Sequence, residues 1–371
     1  MPRLAPSLLR RAHRISPLLR TLLPATRNIP SAQNELRWIR EHARSSPAKP
    51  GEKLGPQNSS PDRLEKDVAR MCRQRGQGVP LQYVLGSQPF GRLEIACEKG
   101  ILVPRQETEA WAEYLREYIL QCRVEMGETA SDLGIVDFCT GTGCIALSLF
   151  QGLQCTIANL RVRGVDISPQ AVSLAKRNLD DNLQTNIIAP PKKDQNVTFT
   201  LGNVFDDAFV EKLKSEPGSW DVLVSNPPYV SRDTWTHGRG EMGFSVKKYE
   251  PRLALVPGDD VPSYPGVKHE DVFYWRLLDV AEMLDTRLIV FEVGDLQQAY
   301  RVARMSAFER PWSNLRDWEM EIWRDSPKIQ PQEDEEPFIF VHKKDDEVPS
   351  RVLVRGSGNV RCVVFKKHIH P

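Results

Sequence analysis

Helix and strand patterns alternate along the chain from about residue 104, and this alternation constrains the fold more than any other feature. Short apolar segments of strand length are separated by segments with apolar residues at helical spacing. Such alternation predicts right-handed βαβ units on a parallel sheet. The strand segments are 133–138, 161–166, 197–201, 221–225 and 287–292, and the helical ones are 107–117, 144–153, 169–183, 207–214, 271–285 and 296–308.

Both ends of the chain follow other patterns. Segments 318–323, 351–354 and 360–366 are strand-like without a helix between them, which predicts an antiparallel edge on the parallel sheet. Short apolar runs and glycines alternate over 81–103 and predict a β-hairpin. Helix-forming residues at 35–44 and 62–75 are separated by a stretch rich in Pro, Gly and Ser, so we expect a small helical region there.

Charge is distributed unevenly. Residues 1–34 hold six arginines and no acid, whereas the rest of the chain holds 44 basic and 49 acidic residues. An acid-free arginine segment interleaved with Leu, Ser and Thr is typical of an organellar transit peptide, with a disordered basic tail as the alternative. We expect residues 1–30 to direct import into the mitochondrial matrix. The rest of the chain is mildly acidic, which disfavours electrostatic binding of nucleic acid over the whole protein surface.

Cysteine spacing and hydropathy exclude further classes. The seven cysteines form no close C-x-x-C pair, which argues against a zinc site and against a disulfide framework. Charged residues or prolines interrupt every apolar run before it reaches the roughly 20 residues that cross a bilayer. We therefore expect no membrane span.

The first chemical motif is the run Asp137-Phe138-Cys139-Thr140-Gly141-Thr142-Gly143, which ends one strand and opens a helix. Its glycines let the backbone approach a ligand closely, and the helix start offers free N–H groups. Asp166 ends the next strand, where a carboxylate can accept both hydroxyls of a ribose. The spacing Gly141-x-Gly143-x-x-Ala146 also fits the dinucleotide fingerprint, so a nicotinamide enzyme stays open on this motif.

The second motif is Asn226-Pro227-Pro228-Tyr229, directly after the strand at 221–225. Open α/β sheets bind ligands at this end of their strands. Two prolines remove two backbone donors and stiffen the loop, while the Asn226 side chain offers both an acceptor and a donor. The loop can therefore accept hydrogen bonds from a planar –NH₂ group while Tyr229 covers that group.

Together the two motifs resemble the S-adenosylmethionine-dependent methyltransferases that act on amide or exocyclic amino nitrogens. Four more segments resemble the HemK-type release factor glutamine methyltransferases, and the resemblance extends over 80–301. They are 80–86 (PLQYVLG), 102–109 (LVPRQETE), 249–255 (YEPRLAL) and 291–297 (FEVGDLQ).

The resemblance implies a Rossmann-like class I methyltransferase fold, α/β, with a mostly parallel seven-stranded sheet and an antiparallel edge strand. The implied domains are a helical substrate-recognition domain at 31–80, a β-hairpin linker at 81–103 and the methyltransferase domain at 104–371. They follow the transit segment at 1–30.

The resemblance also implies the reaction, which is methylation of the glutamine amide in the Gly-Gly-Gln motif of a peptide chain release factor. With the transit segment, that factor is mitochondrial. Asn226, Pro227 and Tyr229 are the implied catalytic residues, and they bind substrate together with Pro228. The implied contacts to S-adenosylmethionine are Asp137, Cys139, Thr140, Gly141, Thr142, Gly143, Asp166, Asn203, Val204 and Asn226. We expect a monomer with no metal and no direct contact to nucleic acid or membrane.

Three positions depart from the family pattern. Cys139 replaces a usual glycine, Gln106 a usual proline, and Asn203-Val204 an acidic-aromatic pair that often meets the adenine. The loops 230–248 and 258–271 are longer than the family norm. Two other functions stay open: methylation of adenine or cytosine amino groups in nucleic acid, and a non-catalytic binding or assembly role on the same fold.

Overall fold

The computed structural model describes residues 4–45, 61–125, 132–238, 242–305, 318–341 and 350–367. The helices are α1 Pro6–Ile15, α2 Pro17–Thr26, α3 Ile29–Ser45, α4 Pro61–Gly76, α5 Leu81–Leu85, α6 Gln106–Glu125, α7 Cys144–Leu153, α8 Pro169–Gln184, α9 Asp207–Lys214, α10 Arg232–His237, α11 Phe244–Tyr249, α12 Val272–Met283 and α13 Leu296–Arg304. The strands are β1 Ser87–Phe90, β2 Leu93–Ala96, β3 Asp132–Phe138, β4 Asn159–Asp166, β5 Asn196–Leu201, β6 Val222–Ser225, β7 Leu288–Glu292, β8 Trp318–Ser326, β9 Phe338–Val341, β10 Ser350–Arg355 and β11 Ser357–Lys367.

The large sheet confirms the α/β prediction. In the described residues it has nine strands in the order β5-β4-β3-β6-β7-β11-β8-β10-β9. The first five are parallel to one another and are joined through helices. The carboxyl ends of these strands therefore meet at one edge of the sheet, where the two chemical motifs lie.

The far side of the sheet differs from the expected seven strands with an antiparallel edge. β11 is antiparallel to both β7 and β8 and lies between them, and β10 and β9 extend the sheet further. Gly356 makes this path possible at φ 89, because a Cβ there would lie 2.5 Å from the backbone of Ser326 and Pro327 at the end of β8. The local pattern of strand residues does not indicate that β11 lies between β7 and β8.

The strands divide their side chains between two hydrophobic clusters, one on each face. In β7, Leu288 and Val290 join a cluster with residues of α6 and α7, while Ile289 and Phe291 join a cluster with residues of α12 and α13. Successive strand residues point to opposite faces. Glu292 continues the row of Leu288 and Val290, so its carboxylate lies on the face covered by α6.

The described residues divide into two compact units, and the smaller one draws its residues from 1–88, 97–99 and 240–250. Its core joins Leu19, Leu22 and Leu23 of α2 with Ile39 of α3 and Val68 of α4. The structure therefore includes α2 in the helical unit, whereas the sequence pattern placed it in a transit segment at 1–30. Three leucines of that segment, Leu19, Leu22 and Leu23, form the buried face of this helix. Most of the Pro/Gly/Ser-rich stretch after 45 lies outside the described residues.

The predicted hairpin occupies part of its expected range. β1 and β2 form a two-stranded sheet, while 81–85 is the short helix α5, which Gly86 ends at φ 85. The N–H groups of Glu94 and Ala96 donate to the side-chain oxygens of Asn182 and Asn178 on α8. These bonds hold β2 against α8 within the large unit. No helix within the described ranges is long and apolar enough to cross a membrane.

Candidate active site

A pocket of about 310 Å³ opens at the carboxyl ends of β3, β4, β5 and β6. Its walls come from the loop after each of these strands, from the segment before α6 and from residues 251–262. Its position matches the crevice where open α/β sheets bind ligands. The volume is in the range of small-molecule sites.

Hydrogen bonds to β3 and β4 hold the loop after β3 in place. Thr140 donates its hydroxyl to Asp137 Oδ2 at 2.6 Å and its N–H to the Val165 carbonyl at 3.1 Å. Gly143 caps α7 at φ 79, where a Cβ would meet the Phe199 ring at 2.9 Å. A Cβ on Gly141 would meet no atom within 4 Å, so a ligand can pass directly over this backbone.

Asp166 is oriented by two backbone donors. Its Oδ2 accepts from Gly141 N–H and its Oδ1 from Ser168 N–H, each at 2.9 Å. Burial raises the pKa of Asp166, and these two N–H groups oppose that rise. Because a carboxylate has about four acceptor positions, it can still accept hydroxyl groups of a ligand. Next to it, Ile167 lines the pocket with a half-exposed side chain.

The loop after β5 supplies the aromatic wall. Asn203 turns its side-chain oxygen onto the Phe205 N–H at 3.0 Å, and Val204 is buried with its carbonyl bonded to Arg276 Nε at 2.7 Å. Phe205 lines the pocket and packs edge-on against Phe273 at 5.0 Å between ring centroids. The aromatic ring that the sequence lacks at Val204 is thus available one residue later.

The Asn-Pro-Pro-Tyr loop is fixed at both ends. Ser225, just before it, donates to the Phe138 carbonyl at 2.7 Å. The Tyr229 hydroxyl donates to Glu292 Oε1 at 3.2 Å. Gly294 leaves room for the tyrosine, since a Cβ there would lie 3.2 Å from its ring. Asn226 is half-buried in the pocket wall, and its Nδ2 donates to Thr108 Oγ1 at 3.4 Å.

Glu292 is a buried carboxylate behind this loop. Thr108 donates to its Oε2 at 2.6 Å and Trp111 Nε1 donates to the same oxygen at 2.8 Å. Burial raises the pKa of Glu292. The two donors, the Tyr229 hydroxyl and the charge of Arg361 lower this pKa, but burial has the larger effect. The carboxylate therefore joins α6, β7 and the Asn-Pro-Pro-Tyr loop.

Two curated relatives decide the family. The mitochondrial MRF1 N(5)-glutamine methyltransferase MTQ1 of Saccharomyces cerevisiae is 33% identical over 324 residues, which are 84% of this chain and 84% of that one. The probable MRF1 mitochondrial N(5)-glutamine methyltransferase mtq1 of Schizosaccharomyces pombe is 31% identical over 291 residues, 77% of this chain and 84% of that one. The chain belongs to the release factor glutamine methyltransferase family.

Other comparisons add less. A release factor glutamine methyltransferase of Chlorobaculum tepidum is 32% identical over 196 residues, 53% of this chain and 59% of that one. No family model matches the chain. The crystal structure of the N-terminal domain of human METTL16 superposes with a TM-score of 0.43 at 12% identity, over 81% of this chain and 83% of that one. The sheet has the α/β architecture that the sequence predicted.

The pocket of this family member brings together most of the predicted site residues. They are Cys139, Thr140, Gly141, Thr142, Asp166, Asn203, Val204, Asn226 and Pro228. Asp137, Gly143, Pro227 and Tyr229 are not among the residues that line it. Sequence reasoning did not single out Thr108, Ile167, Phe205, Phe273 or Glu292. Thr108 and Glu292 fall within two segments that carried the resemblance, and that was the signal available for them.

Cys139 lines the methyltransferase pocket, and the buried Asp137 lies two residues before it in the chain. Asp137 is fully buried, and burial raises its pKa to about 7, against the hydroxyl of Thr140. Cys139 has φ 61, in the left-handed region that favours glycine, where the family usually has glycine. Burial also raises the pKa of its thiol. Within the described ranges, no group of three His, Cys, Asp or Glu side chains could hold a metal ion.

The residues present fit S-adenosylmethionine. Asp166 offers an oriented carboxylate for the ribose, the open backbone at Gly141 can lie under the amino-acid part, and Phe205 with Ile167 offers apolar surface for the adenine. Asn226 and Pro228 of the Asn-Pro-Pro-Tyr loop line the same pocket. A methyl donor and a planar amide can therefore meet there.

Proposed function

We propose that the protein transfers a methyl group from S-adenosylmethionine to the glutamine amide nitrogen in the Gly-Gly-Gln motif of a mitochondrial peptide chain release factor. The observation that carries this proposal is the position of Asn226, which lines the same pocket as Asp166 and Gly141. One pocket thus joins an acceptor for a planar –NH₂ group to a nucleoside site. The relatives from both yeasts are named for glutamine methylation of the factor MRF1.

When bound, S-adenosylmethionine supplies an electrophilic methyl group on a sulfonium. Asp166 holds the ribose hydroxyls, and its position is set in advance by Gly141 and Ser168. Gly141 and Gly143 leave their backbone open to the methionine part, while Asp137 anchors their loop through Thr140. Asn203 and Val204 shape the adenine end together with Phe205.

The substrate amide is a poor nucleophile because its lone pair is delocalised into the carbonyl. Asn226 Oδ1 and the Pro227 carbonyl accept its two hydrogens and thereby aim the nitrogen at the methyl group. Pro228 stiffens the loop, since its ring restricts the backbone angle φ. Such alignment can lower the barrier by several kcal/mol without a general base. As the nitrogen–methyl bond forms, the methyl–sulfur bond would break and the cofactor would leave as a neutral thioether, while the methylated amide would release one hydrogen to water as a proton.

Tyr229 flanks the amide and stays in place through its bond to Glu292. The partially positive methyl group in transfer is favoured by an aromatic face. No step of this mechanism uses a metal. The enzyme acts as a monomer on a protein substrate, without direct contact to nucleic acid or membrane.

The proposed location is the mitochondrial matrix, with the arginine-rich start of the chain as the import signal. Leu19, Leu22 and Leu23 of α2 belong to the core of the helical unit. The segment that can be lost after import without removing this helix is therefore 1–15. The helical unit from α2 onward takes the role of recognising the release factor.

Labelled S-adenosylmethionine tests the proposal. The protein is incubated with a mitochondrial release factor, with the same factor carrying alanine for the Gly-Gly-Gln glutamine, and with ribosomal RNA. We expect label in the unaltered factor alone, and a mass shift of one methyl group on that glutamine. Label in the RNA would support the amino-nitrogen alternative, and label in none of the three would support a non-catalytic role.

A further inference from the structure

We propose that Thr108 is a positioning residue that fixes which way the Asn226 side-chain amide faces, with Glu292 setting the direction of the Thr108 hydroxyl. This inference rests on the proposed function, because it concerns the acceptor that Asn226 presents to the substrate amide. Thr108 and Asn226 both line the pocket, and their side chains are 3.4 Å apart between Oγ1 and Nδ2.

The first step is the role of Glu292 Oε2. An indole N–H can only donate, so Trp111 Nε1 at 2.8 Å makes this oxygen an acceptor. The assignment holds for either protonation state, since a proton on the carboxyl group would lie on the other oxygen. Glu292 is 2% exposed and Trp111 is fully buried, so water does not compete for this bond.

The second step is the Thr108 hydroxyl, which has a single hydrogen. It lies 2.6 Å from Glu292 Oε2 and must donate to it, because that oxygen already accepts from Trp111. The threonine oxygen then offers only lone pairs to its other neighbours. Thr108 is itself 2% exposed, so water does not compete with its hydroxyl for these hydrogen bonds.

The third step is the amide of Asn226. Facing lone pairs on Thr108, the side chain turns its –NH₂ group toward them and its Oδ1 the other way. No described residue donates to Oδ1, which leaves it for the substrate amide. A flipped Asn226 would present –NH₂ to the substrate –NH₂, and two donors cannot bond. The Thr108 hydroxyl therefore selects the productive orientation.

The same carboxylate also fixes the far end of the loop. Glu292 Oε1 accepts from the Tyr229 hydroxyl at 3.2 Å, while Oε2 acts through Thr108 on Asn226. Glu292 therefore positions both residues that contact the substrate amide, Tyr229 directly and Asn226 through Thr108. A change at Thr108 disturbs Asn226 and leaves the bond between Tyr229 and Glu292 in place.

Thr108→Val and Thr108→Ser form the matched pair that tests this inference. Valine keeps the shape and removes the hydroxyl, whereas serine keeps the hydroxyl. We expect Thr108→Val to lower kcat for release factor methylation at least about tenfold, as loss of one buried hydrogen bond does. The KM for release factor and the affinity for S-adenosylmethionine should stay within about threefold, since the hydroxyl makes its hydrogen bonds with Glu292 and Asn226. Thr108→Ser should return kcat to within about threefold of the wild type.

A second readout does not depend on turnover. The measurement is NMR of protein in which the asparagine nitrogens are isotope-labelled. The side-chain amide signals of Asn226 are identified as those that disappear in Asn226→Asp. We expect slower exchange of these protons with solvent in the wild type and Thr108→Ser than in Thr108→Val. If Thr108→Val does not fold, as thermal unfolding will show, Thr108→Ala takes its place.

The outcomes separate the two claims. If the wild type methylates release factor and the hydroxyl-free variant does so equally fast, the positioning role is wrong and the proposed function stands. If the wild type transfers no methyl group to release factor, the proposed function fails. The amide exchange rates then still decide the orientation, and equal rates in wild type and variant overturn it.

Discussion

The backbone N–H of Gly141 donates to Oδ2 of Asp166 at 2.9 Å. The glycine loop after β3 and the acid at the end of β4 are thus joined within the protein itself. The other carboxylate oxygen is held by Ser168 N–H, also at 2.9 Å. The proposed nucleoside site is therefore ordered before a ligand enters, and this preorganisation lowers the entropy cost of binding.

Asp166→Ala should weaken S-adenosylmethionine binding by about 10- to 100-fold, because it removes a charged hydrogen-bonding group and frees Gly141. Its contact with the ribose is the same before and during transfer, so kcat at saturating cofactor should change much less. Titration calorimetry and saturation kinetics measure the two quantities. Asp180→Ala, on the exposed side of α8, is the control. Unchanged affinity in Asp166→Ala would remove this residue from the site.

Asp137→Asn should make the free energy of unfolding less dependent on pH. Burial raises the pKa of Asp137 from 3.8 to about 7, so the folded protein binds this proton more tightly than the unfolded chain does. The stability from this group is complete below pH about 4 and is lost as the pH rises through about 7.

Urea unfolding at about pH 5 and about pH 8 measures this effect. The gain in stability at the lower pH should be larger in the wild type than in Asp137→Asn, which keeps an acceptor for Thr140. Asp180→Asn, with its exposed side chain, should behave as the wild type. Identical pH dependence in wild type and Asp137→Asn would mean that the buried carboxyl titrates as it does in the unfolded chain.

Removal of residues 1–30 should destabilise the helical unit, whereas removal of residues 1–15 should have a small effect. Leu19, Leu22 and Leu23 are at most 2% exposed, and burial of each contributes about 2 kcal/mol. The shorter deletion keeps α2 and its N-cap, Ser16, whose hydroxyl accepts from Leu18 N–H. In α1 the only buried residue is Ala12.

Thermal unfolding and limited proteolysis of the two truncated proteins check this prediction. Leu22→Ala in the full chain provides an independent measure, with an expected loss of about 2–5 kcal/mol. Equal stability of both truncated proteins would show that α2 is not part of the core.

The sequence was informative where structure is local. Apolar segments predicted β3 to β7 within two residues at each end, and the helical spacing of Ala171, Leu174 and Ala175 predicted α8. The patterns failed where long-range packing decides. Nothing local to 360–366 shows that this strand enters between β7 and β8 instead of lying at the edge.

The same holds for the site. Asp166 and Asn226 could be found because each ends a strand of a parallel sheet, and that position alone predicts a ligand contact. Thr108 and Glu292 are 184 residues apart in the chain, and their bond depends on how α6 packs over β7. The residues next to Thr108, two glutamates at a helix start, do not indicate that its hydroxyl will bond to Glu292.

Methylation by Asn226→Ala tests the central claim most directly. The loop follows the end of β6, so the sheet should stay intact and cofactor affinity should remain within about tenfold of the wild type. Turnover on release factor, measured by mass spectrometry of the Gly-Gly-Gln glutamine, should fall about 100- to 1,000-fold, as it does when one preorganised hydrogen-bonding group is lost. Methylation at the normal rate by this variant would contradict the account, because the glutamine amide would then be oriented without Asn226.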